Sequence, residues 1–132
     1  MADTTDTRLT FAEASIMAHF PDDVRGAEKD IIARLISDIL AAGHRISVYD
    51  GEEYAVKFSN DPAAIGQEIA ATDETVLRVR RDNADKTQIG AVFLVHGNGS
   101  DVISDMTDNE EMVALTKGAS NLAEYLNNTV GA

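Results

Sequence analysis

The chain has no cysteine and no tryptophan, only two prolines, and an aromatic content of 5% over 132 residues. Without cysteine there is no disulfide, no thiolate metal ligand and no cysteine nucleophile. A thiol-free chain suits a reducing compartment, and the expectation is a soluble protein of the cytoplasm. Long apolar runs are also missing. The longest, Ile89 to Val95, falls far short of the roughly 20 residues that a membrane helix needs. The amino terminus, MADTTDTRLT, lacks the basic-then-apolar order of a secretory signal. Cations are scarce as well: eleven Lys and Arg stand against twenty-three Asp and Glu, a net charge of -12. A surface of that sign repels nucleic acid and anionic membranes. It attracts basic protein surfaces over a Debye length of about 8 Å at physiological salt.

What is present describes one aliphatic, globular domain over 1–132, with residues 1–8 as a flexible arm. Thr10 and Glu13 have capping-box spacing, which predicts a short helix from about 10 to 20 that Pro21 ends. Val24, Ala27, Ile31, Ile32, Leu35, Ile36, Ile39 and Leu40 then recur at helical spacing, predicting an amphipathic helix, capped by Asp22 or Asp23, that stops near Gly43. Ile46 and Val48 alternate with polar neighbours, Asp50-Gly51 signals a hairpin, and Tyr54, Val56 and Phe58 alternate on the returning strand. Asn60-Asp61-Pro62 reads as a helix cap, with Ile65 and Ile69 inward over 62–71. Leu77 and Val79 mark the next strand. Ile89 to His96 reads as a central strand buried on both faces. A turn at Gly97-Asn98-Gly99 leads to a last strand over about 101–106. Asp108 and Glu111 predict the cap of a closing helix over about 109–127. The order is ααββαβββα: an α+β fold with an antiparallel sheet of about five strands and helices packed on one face.

Residue types that carry chemistry are present but weakly patterned. His19, His44 and His96 have no metal-ligand spacing, and His44 follows a helix-stop glycine, where a cation suits the helix dipole. His96 ends a strand ahead of a glycine-rich turn. It defines an enzyme reading in which it works with Asp101 or Asp105, on one strand face, and a divalent cation. The Gly97-Asn98-Gly99-Ser100 turn lacks the pattern and the lysine of a phosphate loop. No cofactor motif is present. Arg78, Arg80 and Arg81, with Lys86 across a turn, form the one basic concentration, and they are expected to pair with carboxylates across the sheet.

The acidic stretches are more distinctive. Asp50, Glu52 and Glu53 occupy the hairpin, and Asp101, Asp105 and Asp108 follow the glycine turn. Each is a candidate partner-binding residue, whose alternative role is solubility and helix capping. The segments ISVYDGEEYAVKFSND and VFLVHGNGSDVISDMTDN resemble parts of small acidic proteins encoded by phages and prophages, across roughly residues 45–126. That resemblance implies a phage-encoded protein that acts in the host cytoplasm by binding a host protein. The leading expectation is a non-enzymatic acidic module, an inhibitor or DNA mimic, that engages a basic surface of a nucleic-acid-binding or defence protein. A small structural or regulatory homodimer is the alternative, joined by the wide apolar stripe of the long helix. The enzyme reading stands third.

Overall fold

The computed structural model describes residues 16–22, 24 and 26–130. The expected arm over 1–8, most of the helix expected over 10–20, and the candidate cap Asp23 lie outside the described residues. Helix α1 (Gly26–Ala41) carries Ile31, Ile32, Leu35, Ile36 and Ile39 on one stripe, all fully buried. Burying each such side chain is worth about 1.5–3 kcal/mol relative to leaving it in water. The helix stops as its glycine predicts. Gly43 takes φ +87°, its N–H donates to Leu40 O at 3.0 Å, and the His44 N–H donates to Ile39 O at 3.3 Å.

Strands β1 (Arg45–Tyr49), β2 (Tyr54–Ser59), β3 (Glu74–Arg80), β4 (Gln88–Val95) and β5 (Ile103–Met106) form one antiparallel sheet in the order β2-β1-β3-β4-β5. Helix α2 (Pro62–Gln67) links β2 to β3, and α3 (Glu110–Val130) closes the chain. The α+β class, the five antiparallel strands and, from α1 onward, the element order read from the sequence hold.

Register decides which side chains meet the helices. Ile46 lies opposite Val79, Val48 opposite Leu77, and Leu77 opposite Val92, so these apolar residues share one face. They join the buried residues of α1, Ile65 and Ile69, and Met112 in a single core. Gly90 belongs to the same face. A Cβ there would lie 2.6 Å from Met112 Cγ and 2.9 Å from Thr107 Cβ, so only glycine lets α3 sit this close to β4.

Four local expectations need correction. β3, not β4, is the middle strand; β4 lies next to the edge, and its Phe93 is 39% exposed. Tyr54, Val56 and Phe58 do not share a face. Val56 pairs with Val48 and Tyr54 with Tyr49, and register shifts flank Val48, so bulges reset the alternation. Residues 99–101 form a 3-10 turn, which takes Asp101 off the last strand. The closing helix is capped by Asn109, not Asp108: Asn109 Oδ1 accepts from the Met112 N–H at 2.8 Å, and Asn109 Nδ2 donates to Ile89 O.

Candidate functional site

The helices cover one face of the sheet, and the other face carries the side chains of opposite parity. Across its middle runs a row of paired positions: Tyr54 with Tyr49, Tyr49 with Val76, Val76 with Phe93, and Phe93 with Asp105. Tyr49 and Tyr54 meet edge to face, with ring centroids 5.1 Å apart. Beside Phe93 lies a cleft of about 270 Å³, bounded by Glu74, Val76, Phe93, Val95 and Asp105. That is the size of a side chain more than of a small-molecule ligand, whose pockets start near roughly 300 Å³.

At one end of the sheet three loops converge. The β1–β2 hairpin carries Asp50, Glu52 and Glu53; residues 72–74 lead into β3; residues 96–101 follow β4. Asp50 Oδ1 accepts from the N–H groups of Glu52 and Glu53, both at 2.9 Å, and so shapes the hairpin turn. Those two donors, Glu53 first, hold its carboxyl below the ordinary 3.8. The Thr72 hydroxyl lies 2.7 Å from Asp50 O, a donor that ties the hairpin to the second loop. The His96 N–H donates to Asp73 O at 2.9 Å and ties the second loop to the third. Asp50, Glu52, Glu53, Asp73, Glu74 and Asp101 therefore share this end, and no Lys or Arg occurs in the three loops.

Asp105 stands apart, on the open face of β5, where it borders the cleft across from Glu74. Asp108 lies between β5 and α3, beyond the point where Thr107 N–H meets Ala91 O. It belongs to the opposite end, so the six carboxylates singled out by sequence do not form one cluster. Asp73 and Glu74 are absent from that six. Their loop position is legible, but their neighbour, the Asp50 hairpin, is 22 residues away in sequence.

His96 is held more tightly than a strand-end histidine needs to be. Its Nε2 lies 2.7 Å from Thr75 Oγ1, and its Nδ1 lies 3.7 Å from Glu28 Oε1. Thr75 Oγ1 also accepts from the Ala70 N–H. A hydroxyl, an imidazole and a carboxylate in line have the order of a nucleophile relay. Thr75, however, is 1% exposed, so its oxygen is closed to a substrate. The arrangement works as a buckle. Glu28, in the first turn of α1, places Oε2 within 2.8 Å of the Gly97 N–H and 3.0 Å of the Gly99 N–H. The glycine turn does cradle an anion, and that anion is the chain's own carboxylate. Among the described residues no three His, Asp or Glu side chains are placed to hold a metal ion.

The other end of the open face is basic. Arg45 lies directly opposite Arg80, and Arg78 opposite Ser47 on one side and Ala91 on the other. Arg45 Nε donates to Asp82 Oδ1 at 2.9 Å, and Arg45 Nη1 to Phe58 O at 3.1 Å. The Arg80 guanidinium sits 5.2 Å from the Phe58 ring centroid, and its Nη1 donates to Lys86 O. Of Arg78, Arg80 and Arg81, only Arg81, outside the strand, reaches a helix carboxylate among the described residues, Glu111 Oε1 at 2.6 Å. The expected cross-sheet pairing thus fails for Arg78 and Arg80. The register sets them against arginine, glutamine, serine and alanine, so no carboxylate stands opposite. Their Nε atoms are buried and have no acceptor among the described residues.

No helix among the described residues is long and apolar enough to cross a membrane. Comparison with protein-family models, with curated proteins and with solved structures finds no match for this chain.

Proposed function

We propose that the protein is a non-enzymatic binding module whose acidic sheet end and adjoining cleft engage a basic surface on another protein. The observation that carries this reading is the convergence of three cation-free loops, bearing Asp50, Glu52, Glu53, Asp73, Glu74 and Asp101, held together by Thr72 and by the Asp73–His96 backbone bond. Glu52, Glu53, Asp73, Glu74 and Asp101 are exposed and so meet a partner with little rearrangement. The cleft beside Phe93 adds an apolar floor between Glu74 and Asp105. A lysine or arginine from the partner would lay its stem on that floor and its charge between the two carboxylates. Charge complementarity of this kind speeds encounter and makes association salt-dependent.

The experiment compares two variants of equal net charge. One carries Glu52→Gln, Glu53→Gln, Asp73→Asn and Glu74→Gln; the other carries Glu68→Gln, Asp108→Asn, Glu110→Gln and Glu124→Gln. Proteins retained by the wild-type chain from a cell lysate are measured on both. Support is a defined partner that binds the second variant as it binds wild type, is lost by the first, and is released by salt. Equal retention by both variants would show that overall charge, and not this end of the sheet, governs binding.

A further inference from the structure

The arginines at the far end of the open face have no place in that reading. The chain holds twice as many carboxylates as cations, so an arginine without an acidic partner is the exception that asks for a cause. Like charges directly opposite on neighbouring strands repel, yet Arg45 and Arg80 are paired in that way, with Arg78 on the same face two residues from Arg80. Two of the three are set in advance. Arg45 is fixed by Asp82 and by Phe58 O, and Arg80 by the Phe58 ring and Lys86 O. Phe58 itself takes φ +50°, a left-handed conformation that bulky residues avoid, and its N–H donates to the buried Ser47 Oγ at 3.0 Å. Strain in a residue that orients two cations, around a third with no hydrogen-bond or ion-pair partner among the described residues, is the pattern of a prepared binding site.

We infer that Arg45, Arg78 and Arg80 form a site for a small oxyanion, a phosphate or carboxylate group, on the open sheet face. Arg78 supplies a guanidinium whose Nε is buried, which leaves its Nη1–Nη2 edge to match two oxygens of either group. Arg80 flanks it and contributes charge, while Arg45, ion-paired with Asp82, flanks it as a positioned donor. The acidic loops do not cancel this field. Arg45 and Tyr49 are separated by four strand steps, about 13 Å, and the acidic hairpin lies beyond Tyr49. That exceeds the Debye length of about 8 Å at physiological salt. The same net charge disfavours a polyanion, so the ligand is a small molecule and not a nucleic acid.

The test is a titration of the full chain with inorganic phosphate, malonate and a short single-stranded oligonucleotide, at constant ionic strength set with sodium chloride. Melting temperature and the Nε–Hε resonances of the arginines are followed together. A ligand that binds only the folded state raises the melting temperature with its concentration. The expected result is a saturable rise with phosphate or malonate, with the stronger of the two naming the group, and movement of the Arg78 and Arg80 resonances. Arg78→Gln should weaken binding by about tenfold or more, and Arg78→Lys, which keeps charge but loses the fork, should weaken it less. Lys117→Gln removes an exposed cation on α3 and should leave binding unchanged. Circular dichroism checks that each variant folds; if Arg78→Gln does not, Arg78→Lys and the resonance shifts of the wild-type chain decide. No saturable rise with either anion in the wild-type chain, equal binding by the Arg78 variants, or preference for the oligonucleotide over both small anions would overturn the inference.

Discussion

At one end of the sheet the charges sit on loops; at the other they sit on strands. Glu52, Glu53, Asp73, Glu74 and Asp101 reach into solvent from turns whose backbones are stitched by Thr72 and His96. Arg45, Arg78 and Arg80 project from consecutive inner strands, partly buried, with Phe58 beside them. Loop charges of one sign can spread apart and stay hydrated, so gathering them costs little until a partner removes the water. Register holds the backbones of the strand arginines about 5 Å apart, so gathering them costs stability, which Asp82 offsets at Arg45 but no carboxylate offsets at Arg78 and Arg80 among the described residues. The same sheet thus presents a broad, solvated anionic surface at one end and a small, pre-set cationic site at the other.

The difference predicts where stability is lost when each end is loosened. Removing the Glu28 carboxylate should have the largest effect. It leaves the Gly97 and Gly99 N–H groups without their charged acceptor and unpins the third acidic loop. Glu28→Ala is expected to lower stability by about 2–3 kcal/mol, and Glu28→Gln, which keeps an acceptor oxygen, by less. Urea midpoints measure the loss, and hydrogen exchange at the Gly97 and Gly99 amides locates it. An unchanged midpoint with unchanged exchange would mean that the acidic loops do not depend on α1.

Ser47→Ala probes the opposite end with a smaller expected loss, about 1–2 kcal/mol, because it strips the acceptor from the partly buried Phe58 N–H. The substitution also separates the two ends. If Phe58 orients Arg45 and Arg80, relaxing its left-handed backbone should weaken phosphate binding at the arginines and leave exchange at Gly97 and Gly99 as it was. Loss of protection at both ends together would erase the independence on which the comparison rests.

Sequence periodicity foresees the elements better than their faces. The aliphatic stripe of α1, the glycine stop at Gly43 and the hairpin at Asp50-Gly51 follow from local rules, and the α+β class follows from their order. The faces of β2 do not, because alternation assumes an unbroken ladder and bulges flank Val48. Asp101 reads as a strand residue because nothing in GNGSD announces a 3-10 turn. The acidic end is half legible: Asp50, Glu52 and Glu53 stand out by their density, whereas Asp73 and Glu74 join them only through the Thr72 bridge. Glu28 is invisible as a loop anchor, since its partners lie about 70 residues on and are backbone amides. The arginines are conspicuous in the sequence, and pairing is the natural expectation for them. Register overrules that expectation, because it sets Arg80 opposite Arg45 on a strand distant in sequence, beyond the reach of local rules.

The smallest expected effect concerns Asp50, the one acidic-end carboxylate used to shape its own loop. The Glu53 and Glu52 N–H groups stabilise its ionised form and hold its carboxyl below 3.8 when folded. The unfolded chain therefore takes up this proton at higher pH than the folded chain does. The stabilisation is present above the unfolded value and fades as pH falls through the folded one. Asp50→Asn retains an oxygen for the two N–H groups but has no proton to gain. Its stability difference from wild type should thus be modest near neutrality and shrink as the solution is acidified below 3.8. Parallel acid titrations of urea midpoints measure this. A difference that stays constant through the acid range would mean that the hairpin gains nothing from the charge on Asp50, and that the end of the sheet is acidic for its partner alone.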